Sequence, residues 1–151
     1  MIDEFVAAWN LNKDKLADYF MHTPQTEYLD YSKILDAIIT KVINPYIKDN
    51  FNIHYPLSDG LDIDKIHIID DGDYQGTLVF IVPCEVYQPD ISAYIVFSVD
   101  YGSCSGCDTL QHIQYLGNES GLPTDRQLLD YMTLALHMVQ KAFYLKQGGY
   151  V

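Results

Sequence analysis

Apolar and polar residues alternate along this chain with two different periods, and the change of period divides it. Residues Ile2–Trp9 and Lys13–Phe20 read as two short helical pieces separated by Asn10-Leu11-Asn12, with Asn12 in the position of a cap for the second. His22-Thr23-Pro24 ends that piece, because the residue before a proline is pushed out of the helical region. Next, Ile34, Leu35, Ile38, Ile39, Val42 and Ile43 recur in pairs every four residues, the stripe of an amphipathic helix. It opens near Tyr31-Ser32 and is expected to stop at Asn44-Pro45. The stretch from Tyr46 to Leu61 is an irregular crossing rich in Asn, Asp, Pro and Gly.

From Ile63 the period becomes that of strands. Ile63–Asp70, Thr77–Val86 and Ile91–Asp100 are apolar or β-branched runs. The turn signals Asp70–Gly76 and Gln88-Pro89-Asp90 separate them, which predicts a three-stranded antiparallel meander. The second and third runs are apolar at almost every position, so they should lie centrally with cover on much of both faces. Pro83 points to an edge or an irregularity there. Thr109–Leu116 fits either a helical turn or a short strand, and Gly117–Gly121 reads as loop. Pro123-Thr124-Asp125 opens a long helix to about Lys146, with Leu128, Leu129, Met132, Leu136, Val139 and Phe143 on its apolar face.

The expected architecture is α+β: N-terminal helices, a three-stranded antiparallel β-meander, and a long C-terminal helix packed on the sheet. One domain spans the 151 residues. It divides into a helical part (1–47), the sheet (63–100), a cysteine loop with its connection (101–121) and the last helix (124–146). Such a length buries about 70% of the surface its unfolded form exposes.

Composition narrows the functional classes. No apolar run approaches the ~20 residues of a membrane span. The N-terminus carries acids where a signal peptide carries bases, so a cytoplasmic location is expected. Against 9 basic residues stand 21 acidic ones, a formal charge of −12. Phosphate-backbone binding relies on Lys and Arg, and Arg126 is the single arginine. Direct nucleic-acid binding is therefore not expected, whereas a basic protein surface suits the field.

The most distinctive motif is Tyr101–Asp108, YGSCSGCD. Cys104 and Cys107 have C-x-x-C spacing, and His112 is a further nearby donor, so zinc is one reading. Tetrahedral zinc needs four ligands. Cys84, opposite about Tyr94 in the hairpin, stands roughly 30 Å from Cys104 if the intervening strand is extended. Redox chemistry is another reading, since a strand precedes the loop and a helix could follow it. Asp100 and Asp108 flank the thiols, and negative charge nearby raises a thiol pKa. The plainest reading is a tight turn in which Gly102 and Gly106 supply positive φ and the thiols pack beneath. No cofactor is assigned.

Hairpin pairing places Asp100 opposite about Leu78, so the cysteine loop and the Asp70–Gly76 turn should project from one end of the sheet. Asp70, Asp71 and Asp73 then join Asp100 and Asp108 as a candidate partner-binding rim. Asp59, Asp62 and Asp64 on the approach make six aspartates between positions 59 and 73. Such a rim could imitate nucleic-acid phosphates. The D-D-G-D run lacks the spacing of an EF-hand loop. His67 and His137 read as packing residues, and none of the five histidines has H-x-x-x-H spacing. No nucleophile-elbow, P-loop, dinucleotide or zinc-protease motif occurs, so a binding role is expected rather than catalysis.

Val99–Gln111 (VDYGSCSGCDTLQ), followed by Leu128–Lys141 (LLDYMTLALHMVQK), resembles small uncharacterised accessory proteins of tailed phages and prophages. In that group an apolar strand runs into Y-G-S-C-S-G-C-D, and a D-Y-M-T-L-A-L-H helix follows. The resemblance covers the last half of the chain. It implies action in the bacterial cytoplasm, and by analogy the binding and inhibition or modification of a host nucleic-acid-handling protein. A host-defence nuclease is one such target, which would make the chain an anti-CRISPR type of nucleic-acid mimic. The alternatives are a metal-binding or redox protein using the Cys104/Cys107 loop, and a virion or assembly component. Tyr28, Tyr31, Tyr46 and Tyr55 also permit a homodimer.

Overall fold

The computed structural model describes residues 1–115, 117 and 121–146. Leu116 and residues 118–120 of the expected loop lie outside the described residues, as does the chain beyond 146. Helix α1 spans Asp3–His22 without a break. Its buried residues Phe5, Ala8, Trp9, Asn12, Leu16 and Phe20 recur at three- and four-residue steps, so one face meets the core throughout. The expected interruption at Asn10–Asn12 is absent because burial outweighs the weak helix propensity of asparagine. Asn12 is not a cap. It is buried in mid-helix, and its amide Nδ2 donates to the carbonyl of Val42 at 3.0 Å.

That carbonyl belongs to an irregular stretch. Helix α2 covers Tyr31–Ile38, capped by the Asp30 carboxylate on the Lys33 N–H. A wide π-type turn follows at Ile39–Ile43, and α3 at Asn44–Lys48. Pro45 was expected to stop the helix. The chain instead keeps turning, because the wide turn carries the Asn44 N–H to the Ile39 carbonyl five residues back. A proline in a regular ladder would drive its ring against the carbonyl four residues earlier, and the bulge avoids that clash.

The sheet among the described residues has four strands, all antiparallel, in the order β1 (His67–Asp70), β2 (Gly76–Pro83), β3 (Tyr94–Tyr101), β4 (Phe143–Tyr144). The meander is therefore as expected in its pairing, with a short fourth strand added. The long last helix, α5, spans Asp125–Gln140, and the aromatic pair after it closes the free edge of β3. Pairing differs by one residue from the sequence estimate: Asp100 faces Thr77 and Tyr94 faces Pro83.

On the inner face of the sheet, Phe80 and Val82 pair with Phe97 and Ile95, and all four are buried. Their neighbours Val79 and Ile81 on the outer face stay half-exposed, so cover is complete on one side only. Phe5 of α1 stacks on Phe97 with centroids 6.0 Å apart. Phe20, Tyr28 and Tyr131 form a second centre, with centroids 4.9 to 5.4 Å apart. The buried face of α5 is Gln127, Tyr131, Leu134, Ala135, Met138 and Val139. Leu129 and Phe143, expected in the core, are exposed. Among the described residues no helix is long and apolar enough to cross a membrane.

Candidate functional site

The end of the sheet where β1 leaves and β3 arrives is built by hydrogen bonds to carboxylates. Asp70 accepts from the Gly72 N–H at 3.1 Å and from the Tyr101 hydroxyl. Asp71 accepts from the Thr77 N–H at 2.7 Å, and Asp100 from the Thr77 hydroxyl at 2.8 Å. Asp70, Asp71 and Asp100, with Thr77 and Tyr101, therefore hold the β1–β2 turn and the end of β3 together. Asp70, Asp71, Asp73 and Asp100 are all exposed. The Tyr101 hydroxyl, with the Gly72 N–H, keeps the Asp70 carboxyl below its ordinary value, while that contact pushes Tyr101 up to about 12. None of the ion pairs among the described residues involves the four acids.

Not all of the expected rim is there. Asp62 donates its N–H to the Pro83 carbonyl, and Leu61 bridges to Cys84, so Asp59, Asp62 and Asp64 approach the opposite end of β2. The eight steps from Gly76 to Cys84 correspond to about 26 Å of strand. Asp62 also lies 3.9 Å from Lys65. Sequence proximity misleads here because residues 62–70, with β1 at their end, run back along β2 from one group to the other.

Asp108 does not belong to the exposed rim either. Only 4% of it is exposed. Its Oδ1 accepts from the Tyr31 hydroxyl at 2.9 Å and the Gly102 N–H at 3.0 Å, and its Oδ2 from the Gln111 N–H at 2.8 Å. The last of these caps helix α4, Thr109–Tyr115. Asp108 is a buried anchor between the cysteine loop, α4 and α2, not a surface acid. Tyr31 also accepts from the Leu110 N–H at 3.2 Å. Desolvation, reinforced by Asp108, raises its hydroxyl well above the usual tyrosine value.

The loop itself turns by a route different from the expected one. Neither Gly102 nor Gly106 has a positive φ; among the glycines Gly60 and Gly117 do. Gly102 is required instead because an added Cβ would sit 2.5 Å from the Cys107 carbonyl oxygen. The thiols do not pack beneath the loop either. Cys104 and Cys107 are exposed, with sulfurs 2.7 Å apart. Flanking acids were expected to oppose thiolate formation. Yet the Cys107 thiol lies below its ordinary value: the Cys104 thiol hydrogen-bonds to it, and backbone N–H groups add to this against some desolvation. The donors on Cys107 lie within the loop itself, at Cys104 and Ser103, and they outweigh its desolvation. Cys84 is buried, and burial pushes its thiol up to about 12.

His112 turns its Nδ1 to the Ser105 carbonyl at 3.2 Å, rather than joining the sulfurs. Among the described residues no group of three His, Cys, Asp or Glu side chains converges as metal ligands would. His67 and His137 are exposed, not packed. Of the four tyrosines that permit a homodimer, Tyr28 and Tyr31 lie in the core, Tyr46 packs partly against it and Tyr55 is exposed.

A depression of about 210 Å³ lined by Leu29, Tyr31, Leu78, Tyr101 and Leu110 adjoins the rim. It falls short of the roughly 300 Å³ at which small-molecule sites begin. The outer edge of β1 offers more surface, since all four of its residues are exposed, including Ile68 and Ile69. Tyr101 and Thr77, which fix the rim, follow from hairpin register once Gly76 is placed opposite Tyr101. Tyr31 has no local signal, because it reaches Asp108 across 77 positions. Compared with protein-family models, curated proteins and solved structures, the chain matches none of them.

Proposed function

We propose that this protein is a non-enzymatic binding module of phage type that acts in the bacterial cytoplasm. In this reading it inhibits or modifies a host nucleic-acid-handling protein by occupying that protein's basic surface. The observation that carries the reading is the gathering of Asp70, Asp71, Asp73 and Asp100 at one end of the sheet, exposed and without an ion-pair partner among the described residues. Three of the four are held by N–H or hydroxyl donors. The negative charges are thus set in place before an encounter, which reduces the ordering cost of binding.

The chain's −12 charge supplies a long-range field toward a basic partner. Beside the rim, β1 offers an open strand edge with Ile68 and Ile69 exposed. That gives a partner both backbone groups and apolar contact. A surface that ordinarily holds nucleic acid matches this chemistry, because it is basic and partly flat.

The test is capture of host proteins by the purified chain, with added duplex DNA or RNA as competitor. Two variants of equal charge are compared. One converts Asp70, Asp71, Asp73 and Asp100 to Asn, which keeps a carbonyl acceptor in the turn. The other converts Asp14, Glu27, Asp49 and Asp59 to their amides. Capture of a nucleic-acid-binding protein should fall at least ~10-fold for the first and change little for the second. It should also weaken at ~0.5 M salt, where screening shortens the field to a few Å. Equal capture by both variants, or indifference to nucleic acid, would count against the proposal.

A further inference from the structure

We infer that Cys104 and Cys107 form a reversible dithiol–disulfide pair that exchanges with low-molecular-weight disulfides, independently of the acidic rim. The geometry is that of a closed turn with its two sulfurs side by side. The Cys107 N–H donates to the Cys104 carbonyl at 3.1 Å and the Asp108 N–H to the same carbonyl at 2.8 Å. This holds the two side chains on one side of the loop. Their sulfurs stand 2.7 Å apart and both residues are exposed. A disulfide has S–S of about 2.05 Å, so bond formation needs a movement of only about 0.7 Å, within reach of small side-chain rotations.

The frame around the pair is fixed. Asp108 ties the loop's end to Gly102, Tyr31 and Gln111. The loop therefore cannot readily splay the sulfurs apart, which favours closing the ring over holding a mixed disulfide. The third cysteine, Cys84, is buried at the far end of β2 and takes no part.

The two sulfurs are not equivalent. The Cys104 N–H points to the Cys107 sulfur at 3.1 Å, with the Ser103 hydroxyl 4.0 Å away. Donors aimed at one sulfur stabilise its thiolate, which makes Cys107 the attacking atom. Its thiolate attacks one sulfur of R–S–S–R. The S–S bond breaks, one RS⁻ leaves and takes up the proton that Cys107 released, and a Cys107–S–S–R mixed disulfide forms. Cys104 then loses its proton and attacks the Cys107 sulfur. The second RS⁻ departs and takes up that proton. Two protein thiols are oxidised by two electrons, and one disulfide is reduced to two thiols.

Oxidised glutathione is the probe. The folded chain is incubated with it, the remaining thiols are alkylated, and the products are read by mass spectrometry. Loss of two of the three thiols as an internal Cys104–Cys107 disulfide, with no lasting glutathione adduct, is expected. Cys104→Ser should accumulate one adduct on Cys107, and Cys107→Ser one on Cys104 at least ~10-fold more slowly. Retention of all three thiols, or persistent adducts on the unmodified chain, would overturn the pair. Equal rates in the two variants would overturn the assignment of Cys107 as the attacking atom.

Discussion

Replacing Asp108 with alanine removes three acceptor contacts at once, to the Tyr31 hydroxyl, the Gly102 N–H and the Gln111 N–H. The side chain is 4% exposed, so water cannot fully replace it. Losing the cap on α4 costs about 1 kcal/mol. Each of the other two donors, left unpaired in the interior, costs about 1–3 kcal/mol. Release of a buried acid from its desolvated site offsets part of this, which brings the expected loss to about 3 kcal/mol. For a chain of this length that corresponds to a fall in Tm of roughly 6–12 °C. Asp108→Asn keeps one acceptor and should lose about half as much. Tyr31→Phe should cost about 1–1.5 kcal/mol. Urea unfolding at pH 7 of Asp108→Ala, Tyr31→Phe and the double variant closes a thermodynamic cycle. The hydroxyl–carboxylate contact should appear as a coupling of at least ~0.5 kcal/mol. A loss below about 1 kcal/mol for Asp108→Ala, or a coupling indistinguishable from zero, would refute the assignment of Asp108 as an internal anchor and return it to the surface rim.

The two glycines of the cysteine loop should respond in opposite ways. Gly102→Ala brings a Cβ to 2.5 Å from the Cys107 carbonyl and should cost about 1–3 kcal/mol, whereas the nearest atom to a Cβ at Gly106 is 4.0 Å away. Gly106→Ala should stay within about 0.5 kcal/mol, and thermal melts that rank them the other way would contradict the close-approach argument. Alkaline stability tests the buried thiol. Cys84 ionises near its ordinary value of 9.0 when unfolded and at about 12 when folded. Below pH 9 both states keep the proton and its stabilisation is complete. Above pH 9 the unfolded chain releases the proton first, and stability falls by up to about 1.4 kcal/mol per pH unit. Urea midpoints between pH 8 and 10 should fall more steeply for the unmodified chain than for Cys84→Ala; parallel curves would show that Cys84 is not the group responsible.

The meander and the last helix were legible because their signals are local. Alternating apolar residues, the Asp70–Gly76 turn and Thr124 before Gln127 each act within a few positions. Pro123-Thr124-Asp125 marks the start of α5 in sequence, and there Thr124 and Gln127 form a reciprocal cap. The continuous α1 was not legible, since Asn12 is satisfied by Val42, 30 positions away. Strand β4 is two residues long and exists because the free side of β3 needs a partner, which no local pattern announces. In the candidate site, hairpin register placed Asp70, Asp71 and Asp100 together to within one residue. It failed for Asp59, Asp62 and Asp64, where the chain runs the length of β1 before the turn. Asp108 belongs to the expected rim in sequence, because a carboxylate beside a cysteine loop gives no hint of a tyrosine arriving from α2.

The additional residue in the wide turn Ile39–Ile43 rotates everything after it by about 100° around the helix axis relative to an uninterrupted α-helix. Ile47 faces the interior at 1% exposure because of that phase change. So does Asn44, whose amide clamps the backbone of Leu61 with contacts of 2.8 and 3.0 Å. Deleting one residue there would regularise the ladder, yet it would swing both side chains by more than a quarter turn and drive the Pro45 ring against the carbonyl four residues before it. The same deletion at Phe51-Asn52, where both residues are exposed, leaves the phase untouched. Length thus carries structural information in one part of this chain and is slack in another, a few residues apart.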